Sequence, residues 1–150
     1  MNIREMTKMY SNGGSSKVRN SDLTTIDEGD IINNKLLEQA KRDGTISTKL
    51  DKVKQGAHIK GNPEYEKRVA NGEHPSYITV SKMESQQIIN KYSGSGKVHI
   101  NENQFKEIVS TDKNFGVYVE KYTGKEFKTN RGTIHYSKYG AHIVPAKSED

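Results

Sequence analysis

The sequence predicts an α+β domain, and three observations carry that prediction. Apolar residues recur at helical spacing in separate segments before residue 93. Runs rich in Val, Ile, Tyr and Thr crowd the stretch after residue 104, and the connections between those runs are short enough to favour antiparallel pairing. Helices first and an antiparallel sheet last is the α+β order. The chain has 150 residues, 31 % hydrophobic and 29 % charged, which points to one domain of about 90 to 100 residues with added arms rather than a core filling the whole chain.

The elements follow in order. Residues 1–20, which include NGGSS, are polar and Gly/Ser-rich and read as a flexible leader. From Asp30 to Asp43, Ile32, Leu36 and Ala40 recur every four residues with Ile31 and Leu37 beside them; Asp30 caps the start and Gly44 follows as a stop. Such a helix is marginal alone, so its apolar stripe must pack either on the following domain or on a second copy of the chain. Residues 21–49 are therefore expected to be a helical arm and a possible oligomerisation element, with the main domain at 50–147 and a tail at 148–150.

Asn62 and Pro63 mark an N-cap and first helical position for a short helix from Pro63 to Ala70. Tyr77 to Val80 reads as a short strand. Ser81 opens SKMESQQIINKYSG, with Glu84 completing a capping box and Met83, Ile88, Ile89 and Tyr92 forming the expected buried side; Gly94 and Gly96 end it. FKEIVS, FGVYVEKY and GTIHYSKYGAHIVP are then the strands, separated by turn signals such as DKN and TGKE. The GSG at 94–96 follows a helix instead of preceding one, so it is not a phosphate-binding loop.

Composition narrows the function. The net charge is +5, which permits a polyanionic partner without demonstrating one. The absence of cysteine removes disulfides and thiolate metal sites. No segment approaches the roughly 18 apolar residues of a membrane span, so no membrane partner is expected.

The densest chemistry lies in GTIHYSKYGAHIVPA, residues 132–146. If Tyr139 and Gly140 form a two-residue loop, with Gly140 supplying a positive φ, Ser137 faces His142 and His135 faces Val144. His135, Ser137 and His142 then share one face, while Ile134, Tyr136, Lys138, Ala141 and Ile143 take the other and turn to the core. A three-residue loop would move His142 across. Two histidines can serve as general base and general acid, and RNA cleavage needs that pair together with a cation or hydroxyl for the phosphorane charge. The bland alternative is a pair of solvated surface imidazoles. His74 and His99 read as surface residues; His58, inside GAHIKG, is less easily dismissed. Neither metal ligands at usable spacing nor a carboxylate cluster stand out, and no cofactor is expected.

KQGAHIKGNPEY at 54–65, PSYIT, NKYSGSGK and the closing KTNRGTIHYSKYGAHIVPA together resemble the polymorphic toxin type 50 domain over about residues 50–147. The resemblance implies the fold of the barnase, EndoU, colicin and RelE superfamily of metal-independent ribonucleases, with N-terminal helices on a roughly four-stranded antiparallel sheet. It implies His58, His135, Ser137, Lys138 and His142 as the active-site set, with Tyr65 and Thr129 as weaker members; Lys60, Tyr65, Thr129, Arg131 and Lys138 are the expected nucleic-acid contacts. Asn62, where relatives tend to have Thr, and Tyr139, where Asn or Lys is commoner, depart from the pattern without removing a catalytic group.

The same domain occurs in minor head proteins of tailed phages of Gram-positive bacteria, staphylococcal ones among them, and this chain, with only a leader and one helix ahead of the domain, is similar to that group. The expectation is a small ejection protein carried in the virion, in contact with head or portal components, entering the host cytoplasm with the DNA and binding DNA or RNA there, as a homo-oligomer joined through residues 30–43. An active endoribonuclease is the alternative.

Overall fold

The computed structural model describes residues 28–102 and 104–148; the expected leader at 1–20 and the end of the tail lie outside them. Eleven elements follow one another: helices α1 (Glu28–Asp43), α2 (Lys52–Gly56) and α3 (Pro63–Ala70), strand β1 (Tyr77–Ile78), helix α4 (Lys82–Tyr92), then strands β2 (Lys97–Asn101), β3 (Gln104–Ser110), β4 (Gly116–Val119), β5 (Glu126–Thr129), β6 (Arg131–Ser137) and β7 (Gly140–Ala146). The class is α+β, as expected. All strand pairs are antiparallel, but they form two sheets: β2-β3-β6-β7 and a smaller β1-β4-β5.

Local chemistry explains most boundaries. Asn62 accepts from the Glu64 amide at 3.0 Å and Pro63 opens α3. Ser81 and Glu84 close the capping box of α4. Its buried side runs through Ser85, Ile88, Ile89 and Tyr92, at helical spacing, so Met83 falls off that face and is 73 % exposed. The expectation for Met83 is thereby corrected.

The main core lies between the helices and one face of the four-stranded sheet. Leu36, Leu37 and Ala40 of α1 meet Val98, Phe105, Ile134, Ile143 and Ile89 there, and the Asn33 side chain donates to the Val98 carbonyl at 3.0 Å. Burying the two leucines stabilises the fold by about 2 kcal/mol each. Helix α1 is thus a layer of the same core instead of a separate arm. The apolar stripe of Leu36, Leu37 and Ala40 is covered within the chain.

A buried carboxylate organises the other end of α4. Glu107, fully buried on β3, accepts from the amides of Gly94 (2.9 Å) and Gly96 (2.7 Å) and from the Tyr136 hydroxyl (2.6 Å). The GSG loop therefore binds an anion, but the anion is the protein's own. A Cβ at Gly96 would collide with the Ile108 carbonyl oxygen, so glycine is required there by close approach.

The closing hairpin corrects the expected register. Lys138 and Tyr139 form the two-residue connection, Ser137 pairs with Gly140, His135 with His142 and Thr133 with Val144. The shift is two residues, an even number, so the side-chain faces survive. Gly140 is a strand residue whose Cβ would lie 2.8 Å from the Lys49 carbonyl oxygen. The segment 47–51 crosses here, its Ser47 amide donating to Ser137, Lys49 accepting from Ala141 and the Asp51 amide donating to Ala141, each at 2.8 Å.

Candidate active site

The inward residues of β6 and β7, Ile134, Tyr136, Ala141 and Ile143, are buried, which leaves Thr133, His135, Ser137, His142 and Val144 half-buried on the opposite face. His135 and His142 stand directly across the ladder, their rings stacked with centroids 4.9 Å apart and planes 14° from parallel. His58 then stacks on the far side of His142, 5.9 Å away at 16°. Three imidazoles form one pile at the edge of the sheet.

His58 reaches this place through Gln55. That fully buried side chain donates to the Ile143 carbonyl at 2.9 Å and accepts from the Ile143 amide at 2.8 Å, so α2 is pinned to the free edge of β7. The chain then turns through GAHI, and His58 is held twice more. Its carbonyl accepts from the Ile78 amide at 2.8 Å, and its ring Nδ1 lies 3.0 Å from the Ser76 carbonyl oxygen. A carbonyl can only accept, so Nδ1 carries the proton in the neutral ring and Nε2 keeps its lone pair.

All three histidines prefer the neutral form. Burial holds His135 down to about 4, helped by the charges of Lys106, His58 and Lys54. Burial likewise holds His142 to about 4, with His135, His58 and Lys54 adding to it and Asp51 opposing. His58 is lowered by burial and Arg68 against the raising effect of its bond to Ser76. The pile therefore presents neutral bases at pH 7, in a positive field.

The other expected residues fall into three groups. Ser137 is beside the pile, but its hydroxyl is committed to the turn: it donates to the Gly140 carbonyl at 3.0 Å and accepts from the Tyr139 amide at 3.1 Å. Lys138 is exposed in that same turn. Lys60, Tyr65 and Arg131 have contacts of their own: Lys60 sits 4.4 Å over the Tyr77 ring, Tyr65 packs edge-on against Tyr77 in a second small core with Val117 and Val119, and Arg131 donates to the Lys147 carbonyl. Thr129 is fully buried and its hydroxyl donates to the Ala146 carbonyl at 2.7 Å. Thr129 is thus enclosed, with no exposed surface of its own.

Two residues were missed. Lys54 on α2 and Lys106 on β3 act electrostatically on His135, and both are exposed. Only the strand register and the fold of α2 bring them in. Among the described residues, no group of three or more His, Cys, Asp or Glu is arranged to hold a metal ion, and no helix is long and apolar enough to cross a membrane.

The fold and the site together define an α+β domain with a stacked histidine triad at the edge of an open, basic sheet face. A model of the bacterial toxin 50 family matches residues 50–145, well over half of the chain, and the chain belongs to that family. A phage head and a staphylococcal source form no part of that match. No curated protein and no solved structure matches the chain.

Proposed function

We propose that this protein is a toxin-type endoribonuclease that cleaves RNA with its own side chains and no metal ion. The observation that carries this reading is His58, whose Nδ1 proton is fixed on the Ser76 carbonyl so that Nε2 is a ready base, stacked against the His142–His135 pair. His58 removes the proton of a ribose 2′-hydroxyl. The 2′-oxygen attacks the adjacent phosphorus, the bond to the 5′-oxygen breaks, and an imidazolium of the His135–His142 pair protonates that leaving oxygen. The products are a 2′,3′-cyclic phosphate and a free 5′-hydroxyl, and one proton has passed from substrate to His58 and one from the pair to product. Lys54 stands close enough to act on the pair and supplies charge to the phosphorane; Lys138 in the adjoining turn is a second candidate for that role.

Because the pair is protonated only near pH 4 in the free protein, the acid must gain its proton as the phosphate binds, since a nearby anion raises an imidazole pKa. Incubating the protein with labelled RNA in EDTA tests the reading. Cleavage leaving 2′,3′-cyclic ends, lowered about 10² to 10⁴-fold in His58→Ala, is expected. Intact RNA after exposure to well-folded wild type would refute it.

The same neutrality supports a second reading, in which the face binds nucleic acid without cutting it, as a minor head protein of a phage particle ejected with the DNA would require. Salt-sensitive mobility shifts of DNA or RNA, equal in wild type and His135→Ala with no shortening of either strand, would select that reading.

A further inference from the structure

The histidine pile is one end of a longer row. His99 pairs with Lys106 across β2 and β3, Lys106 with His135 across β3 and β6, and His135 with His142 across β6 and β7. Directly paired residues project from the same side of a sheet with Cβ atoms about 5 Å apart. His99, Lys106, His135 and His142 thus form one line across all four strands, and His58 continues it beyond β7. Lys106 stands one strand from His135 and His99 two strands away, steps of about 4.8 Å.

Lys106 and His99 are exposed, and no ion pair holds Lys106 among the described residues. The neighbouring row, Lys97, Ile108, Thr133 and Val144, runs parallel to it. Ile108, Thr133 and Val144 are half-buried and offer a largely apolar strip beside the line of lysine and histidine side chains. A polyanion whose repeating charges follow one row and whose flat apolar groups rest on the next is the ligand this pattern fits.

We propose that Lys106, with His99 beyond it, is a second phosphate-binding subsite, so that single-stranded RNA crosses the sheet from β7 towards β2 with the phosphate next to the scissile one on Lys106. The inference rests on the ribonuclease reading and extends it to the direction of the strand.

The test reads binding alone, by anisotropy of a labelled 2′-O-methyl oligonucleotide, which lacks the nucleophile and cannot be cut. Wild type, Lys106→Ala, Lys106→Arg and the remote surface control Lys113→Ala are titrated over a range of salt with two-nucleotide and six-nucleotide probes. For the longer probe, Lys106→Ala should flatten the dependence of log affinity on log salt by about 0.7, the value of one lost phosphate contact on a single strand. Lys106→Arg should restore the slope, and Lys113→Ala should leave it as in wild type. A Lys106→Ala slope equal to that of Lys113→Ala overturns the subsite while leaving the ribonuclease reading standing. Failure of wild type to bind either probe at low salt overturns both.

Discussion

Replacing Gln55 should damage this fold more than its place in a five-residue helix suggests. The side chain is fully buried and bonded to both polar groups of Ile143, at 2.8 and 2.9 Å. Methionine has nearly the same volume and makes neither bond. Gln55→Met therefore isolates the polar term: an amide and a carbonyl on the edge of β7 are left buried without partners, at about 1 to 3 kcal/mol each. A loss of about 2 to 6 kcal/mol follows, a large share of the roughly 5 to 15 kcal/mol that holds a domain of this kind. Gln55→Ala adds a cavity and should cost more. Urea denaturation followed by circular dichroism reads this directly, with the midpoint falling by at least about 1 M. RNA cleavage at low temperature, where the variant remains folded, should also decline, since His58 hangs three residues beyond the pin. A Gln55→Met protein within about 0.5 kcal/mol of wild type would refute the argument that these two bonds dock α2.

Acid should weaken the fold. His135 and His142 titrate near 4 in the folded chain against 6.5 unfolded, so their contribution is whole above pH 6.5 and is lost as pH falls from 6.5 towards 4; halved for solvent screening, it amounts to about 3 kcal/mol for the pair. Denaturation midpoints across that range, steep in wild type and flatter in a His135→Ala, His142→Ala double variant, check it. Glu107→Ala should cost about 3 to 5 kcal/mol by stranding two glycine amides and leaving the Tyr136 hydroxyl only its bond with Ser93, read by the same denaturation. Gly96→Ala places its Cβ against the Ile108 carbonyl, and backbone cannot move aside; little folded protein should be recovered. The kcat/KM profile, which reports the free protein, should peak on the acid side of pH 6.5, because base and acid are both lowered there, and an optimum above pH 8 would contradict the assignment of His58 and the pair.

Much of this was legible because it is written in short-range chemistry. Asn62-Pro63 and Ser81 with Glu84 name their own caps, and the parity of side chains along IHYSKYGAHI placed the two histidines on one face even though the register was misjudged by two. Gly140 does take the expected positive φ, 150°, but as the first residue of β7 instead of the second of the turn, where it also admits the backbone of Lys49. What escaped was non-local. EFKT and KVHIN are too short and too charged to announce strands, and β1, though expected at Tyr77 to Val80, finds its partner almost forty positions on. His58 meets His142 because Gln55 bonds a residue 88 positions away, which no periodicity encodes; resemblance alone pointed to it. Lys54 and Lys106 are two of 24 Lys and Arg, and a lysine carries no mark of the strand opposite it.

The pleat of β3 sorts charge. Lys106 faces the open side and Glu107, the next residue, faces the helices, so one step of backbone separates the cation offered to solvent from the anion locked inside. A slip of one residue in this strand would turn both over at once, pressing an ammonium into the apolar layer and setting a carboxylate beside the histidines. The misaligned chain would be unstable and would repel a phosphate in the same stroke. Correct threading and a lysine on the outer face are therefore inseparable in this strand.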